Sequence, residues 1–339
     1  MHLLVGIDTE GDNQWDAAAR VNQRFENIYA LPRLHALFAR HGVRPTYVIT
    51  YPVAVDPRSA DVLRALKAGG DCEIGAHHHA WETPPCTAGD VTRHPYASNL
   101  PLRQFEHQLA SLTGAIERAV GERPVSYRSG RFGFSAAHVP ALEKLGYRIE
   151  SSVAPLFYET HKSGPDFVDA PLTPYFLAYD SATKPGASDV LEIPVSAALN
   201  RRVPKPLQHL YARAPRNYTT KRVLRKLGIA RMRWLRPSYS SLEDMIGLAG
   251  DLANAGEPVL NLLFHSSEAI VGGSPYNKTE AELAAFCDRL ERFFEYTRSS
   301  LAAVPVTFTE FERTYTAPTS DLPPSPRLQR TGLPPTPGA

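Results

Sequence analysis

Strand-like apolar runs alternate with amphipathic helical stretches along most of this 339-residue chain, and that alternation restricts the fold more than any other feature. Leu3–Ile7, a run within Val43–Val53, Cys72–Ala76, Val125–Tyr127, Arg148–Val153, Val190–Val195, Val259–Phe264 and Val304–Phe308 predict strands. Helical spacing predicts helices over Ile28–His41, Ser59–Lys67, Pro101–Val120, Ser135–Leu145, Ser241–Ala255 and Thr279–Tyr296. A helical crossover returns the chain to the same end of a sheet, so strands joined in this way lie parallel. Seven or eight such units predict an α/β fold closed into a barrel.

The length accommodates one barrel or two ordinary domains, and the unbroken alternation favours one barrel over 1–316. Two stretches depart from it. Between 197 and 240 the pattern breaks, which reads as an insertion. From about residue 317 to 339 the chain is rich in Pro, Ser and Thr with little apolar content, so it reads as a disordered tail.

A net charge of +2 gives the whole molecule no strong electrostatic preference. Cys72, Cys86 and Cys287 are odd in number and lack zinc-ribbon or CxxC spacing, so no disulfide framework is expected and a reducing compartment fits. Met1 leads straight into an apolar strand without a basic leader, and no run approaches a membrane span. The expected location is cytoplasmic.

In parallel α/β barrels chemistry gathers at the carboxyl ends of the strands, where the loops converge. Four strand ends here are polar. The first leads into Asp8-Thr9-Glu10-Gly11-Asp12 and the third into His77-His78-His79, with Trp81-Glu82 just after. The fourth ends in Tyr127-Arg128-Ser129-Gly130-Arg131, and a late strand delivers His265-Ser266-Ser267-Glu268. Taken singly, Asp8 and Asp12 are equally readable as caps or turn formers, Arg128 as a surface ion-pair residue and His265 as a core histidine. Together, carboxylates with imidazoles describe a site for a divalent ion such as zinc, and a further acid and histidine supply proton transfer. On an extended backbone His77 and His79 share a face and can reach one ion.

These four segments, in this order, resemble the polysaccharide deacetylases with a NodB homology domain, carbohydrate esterase family four, and most closely the WalW-like branch tied to lipopolysaccharide biosynthesis. The resemblance spans roughly residues 1–312. It implies a distorted (β/α)7, TIM-like barrel and a metal-dependent hydrolase that removes an N-acetyl group from a sugar in cell-envelope glycan synthesis. By motif position it makes Asp8 the general base, His265 the general acid and Arg128 the residue that orients Asp8. Trp81, Arg131 and Glu268 are then candidates for substrate binding. The chain departs from the family at two points. Thr9 stands where a second aspartate is usual, so Glu10 is the first candidate ligand and Asp12 the second. Trp81 stands where the second histidine is usual, so His77 pairs with His79, with His78 as the alternative.

Residues 201–240 hold twelve Lys or Arg and no Asp or Glu. The stretch Lys221–Leu235 mixes apolar and basic residues at roughly helical spacing, which predicts either a basic helix against an anionic membrane surface, through 201–236, or a solvated face packed on the barrel. The first would place the protein at the inner membrane face, holding phosphate of lipids or of a lipid- or nucleotide-linked glycan. Nothing resembles a nucleic-acid-binding motif. Two other functional classes stay open: a metal-independent amidohydrolase acting on a non-sugar C–N bond, and an inactive barrel that binds glycans or serves as a scaffold.

Overall fold

The computed structural model describes residues 1–87, 89–200, 203–214, 223 and 230–315. The strands are β1 His2–Thr9, β2 Thr46–Ile49, β3 Glu73–His78, β4 Ser126–Ser129, β5 Ile149–Glu150, β6 Tyr175–Phe176, β7 Leu191–Glu192, β8 Ala197–Leu199, β9 Met232–Trp234, β10 Val259–His265 and β11 Val304–Pro305. Seven of them run parallel in the order β10-β1-β2-β3-β4-β5-β7, as the alternation predicts, while β6 adds an antiparallel edge beyond β7 and β11 pairs with the start of β1.

The sheet curls until its ends meet, and the seam is stapled by side chains. Asn261, the polar residue within the apolar strand β10, is fully buried. Its Nδ2 donates to Ser151 Oγ at 3.0 Å, Ile193 O at 3.0 Å and Pro194 O at 3.2 Å. Leu235 fills the remaining gap: its N–H donates to Ser196 O at 2.9 Å, and its carbonyl accepts from Leu263 N at 2.9 Å. The alternative would be a row of unpaired backbone groups, which is costly when buried.

Strand alternation sorts β1 into two faces. Leu3, Val5 and Ile7 point outward into the main core beneath the helices, with Phe38, Leu63, Leu109 and Phe286. Leu4, Gly6 and Asp8 point into the barrel. At its amino end the interior is apolar, with Leu4, Ile149, Leu191 and Val259 closed off by Phe308 and Phe311. Those two phenylalanines lie on the helix Phe308–Thr314, which corrects the strand expected through Phe308. Thr307 and Glu310 form a capping box, with Glu310 N donating to Thr307 Oγ1 at 3.2 Å and Thr307 N to Glu310 Oε2 at 2.8 Å.

Proline explains two other departures. The helix expected over Ile28–His41 divides into Glu26–Tyr29 and Leu31–Arg40, with Pro32 in the first turn of the second. The one expected over Ser135–Leu145 begins as the 3-10 turn Ala136–His138 and becomes an α-helix only at Val139–Lys144, where Pro140 occupies the first turn.

The stretch read as an insertion, 197–240, contains an antiparallel pair, β8 with β9. Most of the stretch expected to form a basic helix, Lys221–Leu235, lies outside the described residues, as does the whole of the tail 317–339. Where it is described, Val223 is helical and Met232–Trp234 is the strand β9. Two of its arginines are paired: Arg231 with Asp244 and Arg233 with Asp251. Among the described residues no helix is long and apolar enough to cross a membrane, and the three cysteines are unpaired thiols.

Two core histidines tie stability to pH. Burial holds both His78 and His138 down to about 3, from the ordinary 6.5. His78 is bound to Gln108, and His138 stacks on Phe105 with ring centroids 3.7 Å apart. An unfolded histidine takes up its proton near 6.5, whereas these cannot until about 3. Stability is therefore complete above the unfolded value and falls as pH drops towards the folded one, at up to about 1.4 kcal/mol per pH unit for each group. Denaturant unfolding measured at a series of pH values should show this acid-side slope, and His138→Leu should flatten it.

Candidate metal centre and active site

Register brings the four polar strand ends together. Asp8 on β1 lies beside His265 on β10, and His77 on β3 beside Arg128 on β4. The site forms around Arg128, whose side chain is fully buried and crosses the barrel interior. Its Nη1 donates to Asp8 Oδ1 at 2.8 Å, its Nε to Ser151 O at 2.8 Å and its Nη2 to Ser151 Oγ at 3.1 Å. Gly6 makes the passage: a Cβ there would stand 2.5 Å from Arg128 Nη2 and 2.7 Å from the Phe308 ring. Burial alone would raise the Asp8 pKa. The charges of His77, Arg128 and His265 outweigh it and hold the carboxyl well below the usual range, so Asp8 is a carboxylate at any physiological pH.

Glu10 continues the inward face of β1 and meets the histidines of β3. His79 Nε2 donates to Glu10 Oε2 at 2.9 Å, and His77 Nε2 lies 3.8 Å from the same oxygen. His77 Nδ1 donates to the Arg128 carbonyl at 3.1 Å, an acceptor that fixes the tautomer and leaves the Nε2 lone pair facing the site. Burial lowers His77 to about 4 and His79 to about 3, so both rings are neutral. Donor atoms of Glu10, His77 and His79 lie within 4.8 Å of one another, and His79 Nδ1 is buried without a partner. Two neutral imidazoles and a carboxylate, already converged and desolvated, fit a zinc or other first-row divalent ion.

The second-choice ligands lie elsewhere. His78 points to the opposite face of β3, where Nε2 meets Gln108 Oε1 at 2.8 Å. Asp12 is taken up by the start of the helix Glu26–Tyr29, accepting from Glu26 N at 3.1 Å and Asn27 N at 3.0 Å. Glu268, expected to face the substrate, is instead fully buried behind His265. Its Oε1 accepts from His265 Nδ1 at 2.8 Å and from His265 N at 3.1 Å, and Arg236 Nη2 approaches it at 3.3 Å. The physical reason is the short 3-10 turn Ser266–Ala269, which folds the side chain back onto the end of its own strand.

Burial would lower the His265 pKa, but the hydrogen bond to Glu268 and the charge of Glu10 prevail, and the net shift is upward from 6.5. His265 Nε2 stands 3.8 Å from both Asp8 Oδ2 and Glu10 Oε1. Asp8, Glu10, His77, His79, Trp81, Arg131 and His265 all line one cavity of about 300 Å³.

Several contributors were not legible in advance. Trp15 edges onto His265 with ring centroids 4.8 Å apart, and Tyr276 onto Trp15 at 5.5 Å. Arg236 belongs to the basic insertion, where its neighbours made it look like one charge among many. Below the site, Glu150 and Glu192 pair across β5 and β7 and are both buried. Ser129 N donates to Ser152 Oγ at 2.7 Å, and that hydroxyl donates in turn to Glu150. Burial raises both glutamates, and one proton shared between them is the arrangement their contact favours. The sequence signal, two acidic residues inside apolar strands, was present but had no partner to explain it.

Residues 18–149 match the family model of the polysaccharide deacetylases. The matched span is under half of the chain and includes His77, His79 and Arg128. No curated protein matches significantly by sequence. Among solved structures, a Mycobacterium smegmatis protein assigned as a polysaccharide deacetylase is similar at TM-score 0.55 and 16% identity, covering 98% of this chain and 95% of that one. One from Parabacteroides distasonis, assigned as a glycoside hydrolase/deacetylase, is similar at TM-score 0.60 and 13% identity, covering 92% and 70%. Puue allantoinase is similar at TM-score 0.51 and 16% identity, covering 92% and 89%. The fold is the α/β barrel of the polysaccharide deacetylase type.

Arg128 supplies the cation that keeps Asp8 ionised in the interior. Arg128→Met should therefore destabilise the protein by about 3–5 kcal/mol, the cost of a buried charge left without its partner. Chemical denaturation measures it, and the double variant Asp8→Asn/Arg128→Met should recover part of the loss.

Proposed function

We propose that this protein is a metal-dependent hydrolase that removes an N-acetyl group from a sugar, in the synthesis of a cell-envelope glycan such as a lipopolysaccharide. The single observation that carries the reading is the opposition, across one cavity, of a carboxylate held ionised and an imidazole whose pKa is raised, with Glu10, His77 and His79 converged beside them.

Glu10, His77 and His79 would hold the ion, zinc being the first candidate. When bound it supplies Lewis-acid polarisation of the acyl carbonyl. Asp8, fixed by Arg128, accepts a proton from the attacking water as its oxygen bonds to the acyl carbon. His265, fixed by Glu268, gives its Nε2 proton to the sugar nitrogen as the C–N bond breaks. Acetate and the free amine leave. Asp8 is then protonated and His265 neutral, and exchange with solvent restores both. Trp81 and Arg131, on the wall beside His79, support the sugar.

Acetate release from N-acetylated sugars, measured together with metal content, tests the assignment. The purified protein should carry about one divalent ion, lost in His77→Ala/His79→Ala. Asp8→Asn and His265→Ala should each lower kcat by about 10²–10⁴-fold, the usual contribution of a positioned acid or base. Full activity in a metal-free protein would instead favour metal-independent hydrolysis of another amide.

The pH profile gives a second test. Asp8 keeps its charge on the acid side, so that limb belongs to other groups. On the alkaline side kcat/KM should fall as His265 loses its proton, with an apparent pKa above 6.5 because the folded value is raised. Glu268→Gln removes the main raising influence and should move this limb to lower pH.

A further inference from the structure

The wall of the cavity beyond His79 carries two arginines that take no part in the proton transfers or the bond cleavage. Arg20 comes from the helix Ala17–Val21 and Arg131 from the turn after β4, and both line the cavity. Neither forms an ion pair with a carboxylate among the described residues. Arg20 Nη1 donates to the Gln14 carbonyl at 2.8 Å, and Arg131 lies over the Trp81 ring at 4.4 Å from its centroid. The nearby acid Glu82 accepts from Gln23 Nε2 at 2.7 Å and makes no ion pair with either arginine, and burial raises its pKa to about 8, which weakens it as a counter-charge.

Three further observations point the same way. Arg131 has φ 55° and ψ 22°, and Phe132 after it has φ 60°, so two successive non-glycine residues hold the left-handed conformation. Backbone strain of this kind persists where surrounding structure enforces it, commonly at ligand sites. Gln14, nine-tenths buried and lining the same cavity, has no hydrogen-bond partner for either amide atom, and the buried Trp81 Nε1 has none. The two arginines also feel each other: burial first, and then the charge of Arg20, press the Arg131 pKa down. Two cations and unpartnered polar atoms are thus arranged around one space.

We infer that Arg20, Arg131 and Gln14 form a subsite for an oxyanion, a phosphate ester or a carboxylate, carried by the acylated sugar. Guanidinium forks match both groups with paired N–H donors, and the Gln14 amide adds a donor for a further oxygen. The sugar half of this inference rests on the deacetylase reading; the anion half rests on the arginines alone.

Calorimetric binding to the full-length protein tests it with three probes: N-acetylglucosamine, N-acetylglucosamine 1-phosphate and N-acetylmuramic acid, which carries a carboxylate. At least one charged probe should bind about ten-fold or more tightly than the neutral sugar, the scale of charge-assisted hydrogen bonds. Which of the two does so separates phosphate from carboxylate. The preference should disappear in Arg20→Gln/Arg131→Gln, with a thermal melt confirming the fold, and fall at least about three-fold in Arg20→Gln alone should the double variant not fold. Equal binding of all three probes, no binding of any, or a preference that survives substitution overturns the subsite. A preference found without acetate release would retire the deacetylase reading and leave the subsite standing; acetate release without a preference would do the reverse.

Discussion

A charged side chain inside a barrel is expensive, and the active end of this molecule is organised around one that is made tolerable. Arg128 is fully buried, and its guanidinium divides its donors between the Asp8 carboxylate and both oxygens of Ser151. A buried ion pair recovers its desolvation cost only when the geometry is good and the remaining donors are satisfied. Both conditions depend on neighbours: on Gly6, which has no side chain to obstruct the guanidinium, and on the β4–β5 pairing that presents Ser151. The Arg128 carbonyl in turn sets the His77 tautomer. One residue thereby holds the base ionised and orients a candidate ligand.

The barrel is graded along its axis. Leu4, Phe308 and Phe311 close the amino end, Arg128 occupies the middle, and Asp8, Glu10, His77, His79 and His265 meet at the carboxyl end. The apolar plug keeps water from one side, so the ionisable groups are desolvated on the side away from the cavity. That desolvation neutralises His77 and His79, and Glu268 reverses it for His265. Similar imidazoles are shifted in opposite directions because their partners differ, which is the condition for dividing ligand and acid roles among them.

The histidine triplet shows how far local pattern reaches. Alternation in an extended strand separates His78 from its neighbours, and in the barrel His78 does turn away, to Gln108 and Phe105. The pairing of His77 with His79 was therefore readable from three residues. The choice between Glu10 and Asp12 was readable only in part. Inward-facing parity from Asp8 also runs through Asp12, and what removes Asp12 is a helix start fifteen residues away. Glu268 misled for a related reason: a polar residue just after a strand end looks like cavity lining until the 3-10 turn folds it back. The basic stretch shows what composition leaves out. Charge counted along the chain carries no record of partners, and Arg231, Arg233 and Arg236 find theirs in Asp244, Asp251 and Glu268, none of them within that stretch.

By itself the sequence determined the parallel α/β architecture and the strand ends where polar residues gather, because both follow from periodicities of 2 and 3.6 that act between near neighbours. Tertiary structure alone decided how the curled sheet meets itself through Asn261, which carboxylate turns inward, and that Arg20 and Gln14 share a wall with Arg131. Those outcomes depend on contacts between segments far apart in the chain. No local rule relates residue 14 or 20 to residue 131; only closure of the barrel sets them around one cavity.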